Sequence, residues 1–405
     1  MLLTEYRRGV GVLLTPVIAL VVWLGVFGAG TPWPGPWLKL AETVHQVSVE
    51  PFVIAAAVWQ AGRERRRGTR DLLSVTPRAR WQRLSLSWAS IVLGGALGVL
   101  LPLLVGTVLV ALHDGYMAPG WWWLIVNTFL GIGFHAAVGT VVGVLVPSPL
   151  LGLVGAVAAY VALFGTSLRG VLLLGQTPIA GWPPPPDFRV PNSGPQVLMA
   201  LWLVMSTAAL IAVVSQHRAA FVVIPVALAL AVVLHARAEN VGWFWRVDQH
   251  ADELICRDNV CVLREDLHQL DLVFAAAKPV LDKVSGIPGA PTTAVPGEGA
   301  THLWVARRDL DWSGKSVRDP GDTYFRRTLV WSVVHHPESC SAAADLSRVA
   351  GAWWLADPGM LEASTDSAAL LDRLNRLDVV AQRKWFGDFL AAVRRCDEPA
   401  LMALR

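Results

Sequence analysis

The chain has 405 residues, of which 54% are hydrophobic and only 16% charged, against roughly 25% charged in an average soluble domain. Its net charge of +3 is too small to argue for a nucleic-acid partner. Charges are few and clumped between Gly9 and Leu234 and ordinary after Arg237. The composition therefore predicts two regions in different solvents: a membrane domain over 1–236 and a soluble domain over 237–405.

A bilayer core of roughly 30 Å needs about 20 apolar residues in a helix, and its backbone polar groups must be satisfied internally. The first apolar run, 9–29, follows Arg7 and Arg8. That lead-in resembles a signal peptide, but the run is long enough to span, and Gly28-Ala29-Gly30 before Pro32 and Trp33 is a poor cleavage site. The second run covers 46–62 and the third 84–112. The fourth begins at Trp121-Trp122-Trp123 and ends near Val146. The fifth follows Pro147-Ser148-Pro149 and ends near Thr166. The loop from Ser167 to Pro195 holds a short apolar stretch, Gly170 to Leu174, and then Pro183 to Pro186, which force an extended polyproline segment. It reads either as a short helix in the outer leaflet with a stiff connector or as a plain loop. The sixth run covers 196–214, and the seventh, 219–234, is the shortest and contains Pro225. The predicted fold is an all-α polytopic membrane bundle of about seven transmembrane helices, with six forming a core and the seventh a stem, followed by a mainly α (α+β) soluble extracytoplasmic domain.

Basic loops orient such a bundle. Arg7 and Arg8, the eight arginines between Arg63 and Arg83, and His217 with Arg218 all fall on one side, which is the cytoplasmic one. The opposite loops hold Lys39, Arg169 and Arg189. Trp33, Trp37, Trp121 to Trp123 and Trp182 sit at predicted outer boundaries, where aromatic rings favour the headgroups. An odd number of spans puts the N-terminus inside and the C-terminal domain outside a plasma membrane.

All four cysteines, Cys256, Cys261, Cys340 and Cys396, lie in that last domain. An even set confined to an exported domain reads as two disulfides. Four residues separate Cys256 from Cys261, enough for a small closed turn, and Cys340 with Cys396 would close a longer loop. The competing reading is four unpaired cysteines in a cytosolic domain. It requires the seventh helix not to span, and Arg237 and Arg246 just beyond that helix favour it. Elsewhere in the domain, 267–284, 324–336, 346–356 and 367–395 have helical spacing, 286–299 is a Pro/Gly-rich loop and 302–306 a strand. Trp353 and Trp354 suit a core.

Enzymatic signatures are weak. His335, His336 and Glu338 superficially resemble a zinc-peptidase helix, but adjacent histidines point to different faces and Pro337 ends the helix, so the ligand geometry fails. No phosphate-cradling Gly-x-x-x-x-Gly-Lys segment occurs. The expectation is a chain with no enzymatic activity, cofactor or metal of its own. His135, mid-way along the fourth run, is an intramembrane ionisable group whose simplest role is packing through a neutral hydrogen bond. Glu50 falls near the outer end of the second run.

The segment joining the second and third runs carries the most information. Gly68 lets the chain leave a membrane helix sharply. Thr69 can cap a new short helix, Asp71 suits its first turn, Leu72 and Leu73 form an apolar knob, and Pro77 ends it. Glu64, Gly68-Thr69, Asp71, Leu72-Leu73 and Thr76-Pro77 followed by Arg80 resemble the corresponding loop of ABC-2 type transporter permeases. The resemblance extends over roughly residues 1–217, with the basic lead-in and the broken segment between the fifth and sixth runs. It implies a permease subunit whose loop 63–83 is a coupling helix docking into a separate ATPase subunit, with a homodimer or second permease chain forming the other half. The alternative reading of the same arginines is a solvated basic loop. The seventh helix and the large exported domain depart from the family pattern. They leave room for a non-transporting, permease-derived scaffold that displays its C-terminal domain to a partner.

Overall fold

The computed structural model describes residues 2–28, 37–46, 49–68, 79–146, 154, 189–237, 241–297, 302–305, 323–334, 340, 343–361 and 365–405. The chain is mostly helical and divides into two compact units, Met1–Gln249 and His250–Arg405.

In the first unit, α1 (Leu2–Arg8) meets α2 (Gly11–Phe27) at a 74° bend. Two shorter helices follow, α3 (Trp37–Gln46) and α4 (Glu50–Ala61), then a single turn, α5 (Arg63–Arg66). The long elements are α6 (Arg80–Leu112), α7 (Trp122–Leu145), α8 (Ser193–Ser215) and α9 (Ala220–Arg237). Among the described residues these four are long and apolar enough to cross a membrane, and α1 with α2 makes a fifth if the bent pair counts as one span. The third, fourth, sixth and seventh expected runs are thus membrane-length helices. The fifth run lies outside the described residues apart from Val154, and so does the proline-rich loop up to Arg189, where β1 begins; the sixth run's helix starts at Ser193, within that loop's expected end.

The first run keeps its place, and the second departs from expectation. The bend from α1 falls at Gly9-Val10, the start of the first expected run, and the 17-residue α2 occupies nearly all the rest of it. The second contains only the 12-residue α4, about 18 Å long at 1.5 Å per residue and too short to span alone. The more polar α3, with Lys39, Glu42 and His45, precedes it. Trp37 of α3 packs on Trp121, ring centroids 4.9 Å apart, and His45 reaches Thr128 at 2.9 Å. Farther on, α4 touches Gly139 at Ile54 and Gly143 at Val58. In succession, α3 and α4 therefore follow α7 along its length.

Glycines set the closest helix contacts. On α6, a Cβ at Gly94 would lie 2.5 Å from the Gly11 carbonyl oxygen, and one at Gly98 would lie 2.7 Å from Ile18 Cβ. On α7, a Cβ at Gly139 would meet the Ile54 oxygen at 2.6 Å, and one at Gly143 the Val58 oxygen at 2.4 Å. Both are small-xxx-small pairs that bring backbones together where lipid offers no hydrophobic drive. Thr15 adds a hydroxyl donated to the Gly94 carbonyl at 3.1 Å. Outward faces carry exposed Leu101, Leu104, Val108, Phe221, Leu228 and Val232.

The strands β1 (Arg189–Pro191) and β2 (Trp245–Val247) pair antiparallel, with the short α10 (Val241–Phe244) leading into β2. Because β1 precedes α8 and β2 follows α9, this ribbon closes an antiparallel helical hairpin. It also keeps the residues after Arg237 with the first unit.

The second unit has a sheet ordered β3 (Leu254–Arg257), β4 (Val260–Leu263), β5 (Ala294–Pro296), β6 (Leu303–Val305). Only the β3–β4 pair is antiparallel. The helices are α11 (Leu270–Val284), α12 (Thr323–Val334), α13 (Ala344–Leu355), α14 (Thr365–Asn375), α15 (Val379–Arg395) and α16 (Glu398–Ala403). Val260, Val262, Leu281, Leu329, Leu346, Trp354, Phe386 and Phe389 form one core. The expected single helix over 367–395 is two. Asp378 stops the first from running on by capping the second, accepting the Ala381 amide at 2.8 Å. Similarly, a 3-10 stretch, Arg264–Gln269, precedes α11, so the helix starts at Leu270 rather than Leu267.

Trp354 is buried and donates to the Val280 carbonyl at 2.8 Å; Trp353 donates to Gln382 at 2.7 Å. Lys283 and Arg326 donate to the carbonyls of Trp353 and Leu355 at the C-terminal end of α13, where cations complement the helix dipole. Burial, with Arg326 nearby, holds the Lys283 amine below its ordinary pKa. The cysteines pair as Cys256–Cys261 and Cys340–Cys396, with Cα atoms 4.0 and 5.6 Å apart.

Candidate functional site at the arginine-rich end of the bundle

Gly62 ends α4, and α5 adds one turn rich in arginine. Gly68 then adopts φ +64° with open space around its Cβ position, and its amide bonds the Arg65 carbonyl at 3.2 Å. A left-handed residue closing a helix is what glycine permits, and it turns the chain out where a sharp exit was expected. The backbone of Glu64 sits in α5. The Glu64 side chain and residues Thr69, Asp71, Leu72, Leu73 and Pro77 lie outside the described residues.

Glu5 of α1 accepts from Gln60 Nε2 at 3.0 Å and from Arg63 Nη2 at 2.8 Å. Gln60 Oε1 in turn accepts the Val10 amide at 3.4 Å. This half-exposed ion pair is worth little alone, but it ties the N-terminal helix to the last turn of α4 and to α5. Arg65 reaches the Leu145 carbonyl at the end of α7, 3.4 Å away. Arg66 lies over the Trp59 ring at 4.7 Å. Trp81, at the start of α6, meets His217 between α8 and α9 edge-on at 6.3 Å. Thus α1, α5, the start of α6, the end of α7 and the α8–α9 turn all reach one end of the bundle. That end carries Arg7, Arg8, Arg63, Arg65, Arg66, Arg67, Arg80, Arg83 and Arg218.

The other end is aromatic. Trp37 and Trp121 pack together, and Trp122 stacks on Trp123 at 4.2 Å. Tyr116 donates its hydroxyl to Asp248 at 2.8 Å, and Asn192 donates to the Trp243 carbonyl beside the β1–β2 ribbon. Trp33 and Trp182 lie outside the described residues.

Between the ends lies a buried polar seam. Thr128 donates its hydroxyl to Leu124 within α7 and receives His45 Nδ1 from α3. Asn127 donates to Gln196 Oε1 of α8 at 2.6 Å, both residues fully buried. Glu50 is buried in the first turn of α4. His135 donates Nδ1–H to the Gly131 carbonyl of its own helix at 2.8 Å and packs edge-on against Phe134. Sequence reasoning singled out His135 and missed His45, Asn127 and Gln196. A lone amide in the apolar run after Trp123 was the available signal for Asn127, because an amide buried among apolar helices needs a partner.

Among the described residues no cluster of three or more His, Cys, Asp or Glu is arranged to hold a metal. His335, His336 and Glu338 lie outside them. Comparison with protein-family models, with curated proteins and with solved structures gave no match.

Proposed function

We propose that this chain is a permease-like subunit of an ABC-type transporter that works with a separate ATPase, and that the 63–83 segment is where the two meet. The observation that carries this reading is the gathering of α1, α5, α6, α7 and the α8–α9 turn around the Gly68 exit at one arginine-rich end. In this reading that end faces the cytoplasm, as positive loops do. By residue type alone, Thr69 suits the cap of a docking helix, Asp71 its first turn and Pro77 its end, and Leu72 and Leu73 are the apolar contacts proposed for the ATPase. A push there reaches α4 directly, because Arg63 and Gln60 lock α4 and α5 to α1. From α4 it passes to α7 through Gly139 and Gly143. A second copy, or a second permease chain, supplies the other half of the pathway.

A second reading is a membrane scaffold that displays its C-terminal unit. It draws on that unit's own core and two disulfides. Purification of the tagged full chain from its native membrane separates the two. The transport reading expects an ATPase to copurify and to be lost on Leu72→Asp/Leu73→Asp, while yield and thermal unfolding stay unchanged. Unaltered copurification in that variant, or no ATPase with the wild type, contradicts it.

A further inference from the structure

We propose that Cys256–Cys261 is a thiol–disulfide exchange site, reducible while the second unit stays folded, and that Cys340–Cys396 is a structural bond. The two pairs sit in opposite surroundings. Cys340 is fully buried within the core, and Cys396 packs against that core. Cys256 is solvent-exposed, with Cys261 behind it on β4. Exchange requires a thiolate to approach one sulfur along the S–S axis, so access decides which pair reacts. A protein thiolate can approach Cys256 from solvent.

The hairpin also tolerates opening of the bond. Cys256 and Cys261 are directly opposed across β3 and β4, whose register runs from Leu254↔Leu263 to Arg257↔Val260. Backbone pairing and the burial of Val260 and Val262 hold β4 in place without the sulfurs. The bond closes a loop with a sequence separation of 5, against 56 for the other pair, so it constrains the unfolded chain far less. β3 is the sheet's edge strand, pairs only with β4 and lies largely exposed. Reduction would therefore loosen β3 and leave the core intact, making a redox-dependent edge that could pair with another strand.

The partner is a dithiol reductant, the chemistry of a disulfide oxidoreductase. One of its thiolates attacks Cys256 Sγ, forming a mixed disulfide and expelling Cys261 as a thiolate. Its second thiolate attacks its own linked sulfur and releases the Cys256 thiolate. The dithiol leaves as a disulfide, two electrons pass to the cysteine pair, and its two protons go to the cysteine thiolates.

The test uses the full chain in lipid nanodiscs, graded dithiothreitol, quenching with N-ethylmaleimide and peptide mass spectrometry. Cys256 and Cys261 should become alkylated at dithiothreitol concentrations at least tenfold below those needed for Cys340 and Cys396. Amide exchange at that point should rise in β3 and stay unchanged in α13 and α15. The proposal is overturned if both pairs open together, if Cys340–Cys396 opens first, or if opening of Cys256–Cys261 coincides with loss of protection throughout the unit. Alkylation of Cys256 without reductant also overturns it.

Discussion

At the scale of single residues, the account rests on positions where an added methyl would meet backbone. A Cβ at Gly143 would lie 2.4 Å from the Val58 carbonyl oxygen, and a helix backbone cannot move aside as a flexible side chain can. Gly143→Val should therefore prise α7 from α4 at a cost of about 1–3 kcal/mol, read as a lower thermal midpoint of the detergent-solubilised chain. Gly194→Ala, with nothing within 4 Å of its Cβ position, is the matched control and should leave the midpoint in place. Equal midpoints for the two variants would count against glycine-set packing. The spacing of Gly94 with Gly98 and of Gly139 with Gly143 stands in the sequence. The identity of the facing helix does not, because a small-xxx-small pair specifies close approach without naming a partner. His45 was hidden for a related reason. It falls just before an apolar run, and only the packing of α3 on α7 places its ring against Thr128.

At the scale of elements, apolar length proved a good guide to α2, α6, α7, α8 and α9 and a poor one to the second run. An apolar count registers hydrophobicity but not a break. α3 carries Lys39, Glu42 and His45 beside Trp37, Leu38 and Leu40, so a hydropathy count does not single it out as a helix. The β1–β2 ribbon was unreadable because three-residue strands carry no alternation to detect. In the second unit, the periodicity of 324–336 and 346–356 was legible in the parts that α12 and α13 form, since each helix buries one stripe in the core. The split between α14 and α15 was signalled by Asp378, a strong N-cap inside a helical pattern. Its removal gives a direct check. Asp378→Ala should cost about 1 kcal/mol, seen as an earlier unfolding transition of the second unit in the intact chain, whereas Asp378→Asn should keep most of that stability. Identical loss in both variants would show that the carboxylate acts otherwise than as a cap.

At the scale of the whole molecule, two chemistries follow one another along the chain. The first unit gathers nine arginines at one end and tryptophans at the other, and the second holds both disulfides. Composition changes at Arg237, where charge returns and after which cysteine first appears, whereas the two compact units divide at Gln249 and His250. The role of the Gly68 exit was less legible: the residues from Thr69 to Pro77 fit a docking helix in order and type, and a partner is needed to give them work. The proposed topology puts the arginine-rich loops in the cytoplasm and residues after the seventh run outside the cell. With Cys256→Ser/Cys261→Ser removing the exchangeable pair and Cys340–Cys396 left in the core, single reporters can read this without background. Arg67→Cys and Asp252→Cys, each at an exposed position, would be treated with a membrane-impermeant maleimide in intact cells and again after lysis. The account predicts that Asp252→Cys reacts in intact cells and Arg67→Cys only after lysis; labelling of both reporters under the same condition would contradict it.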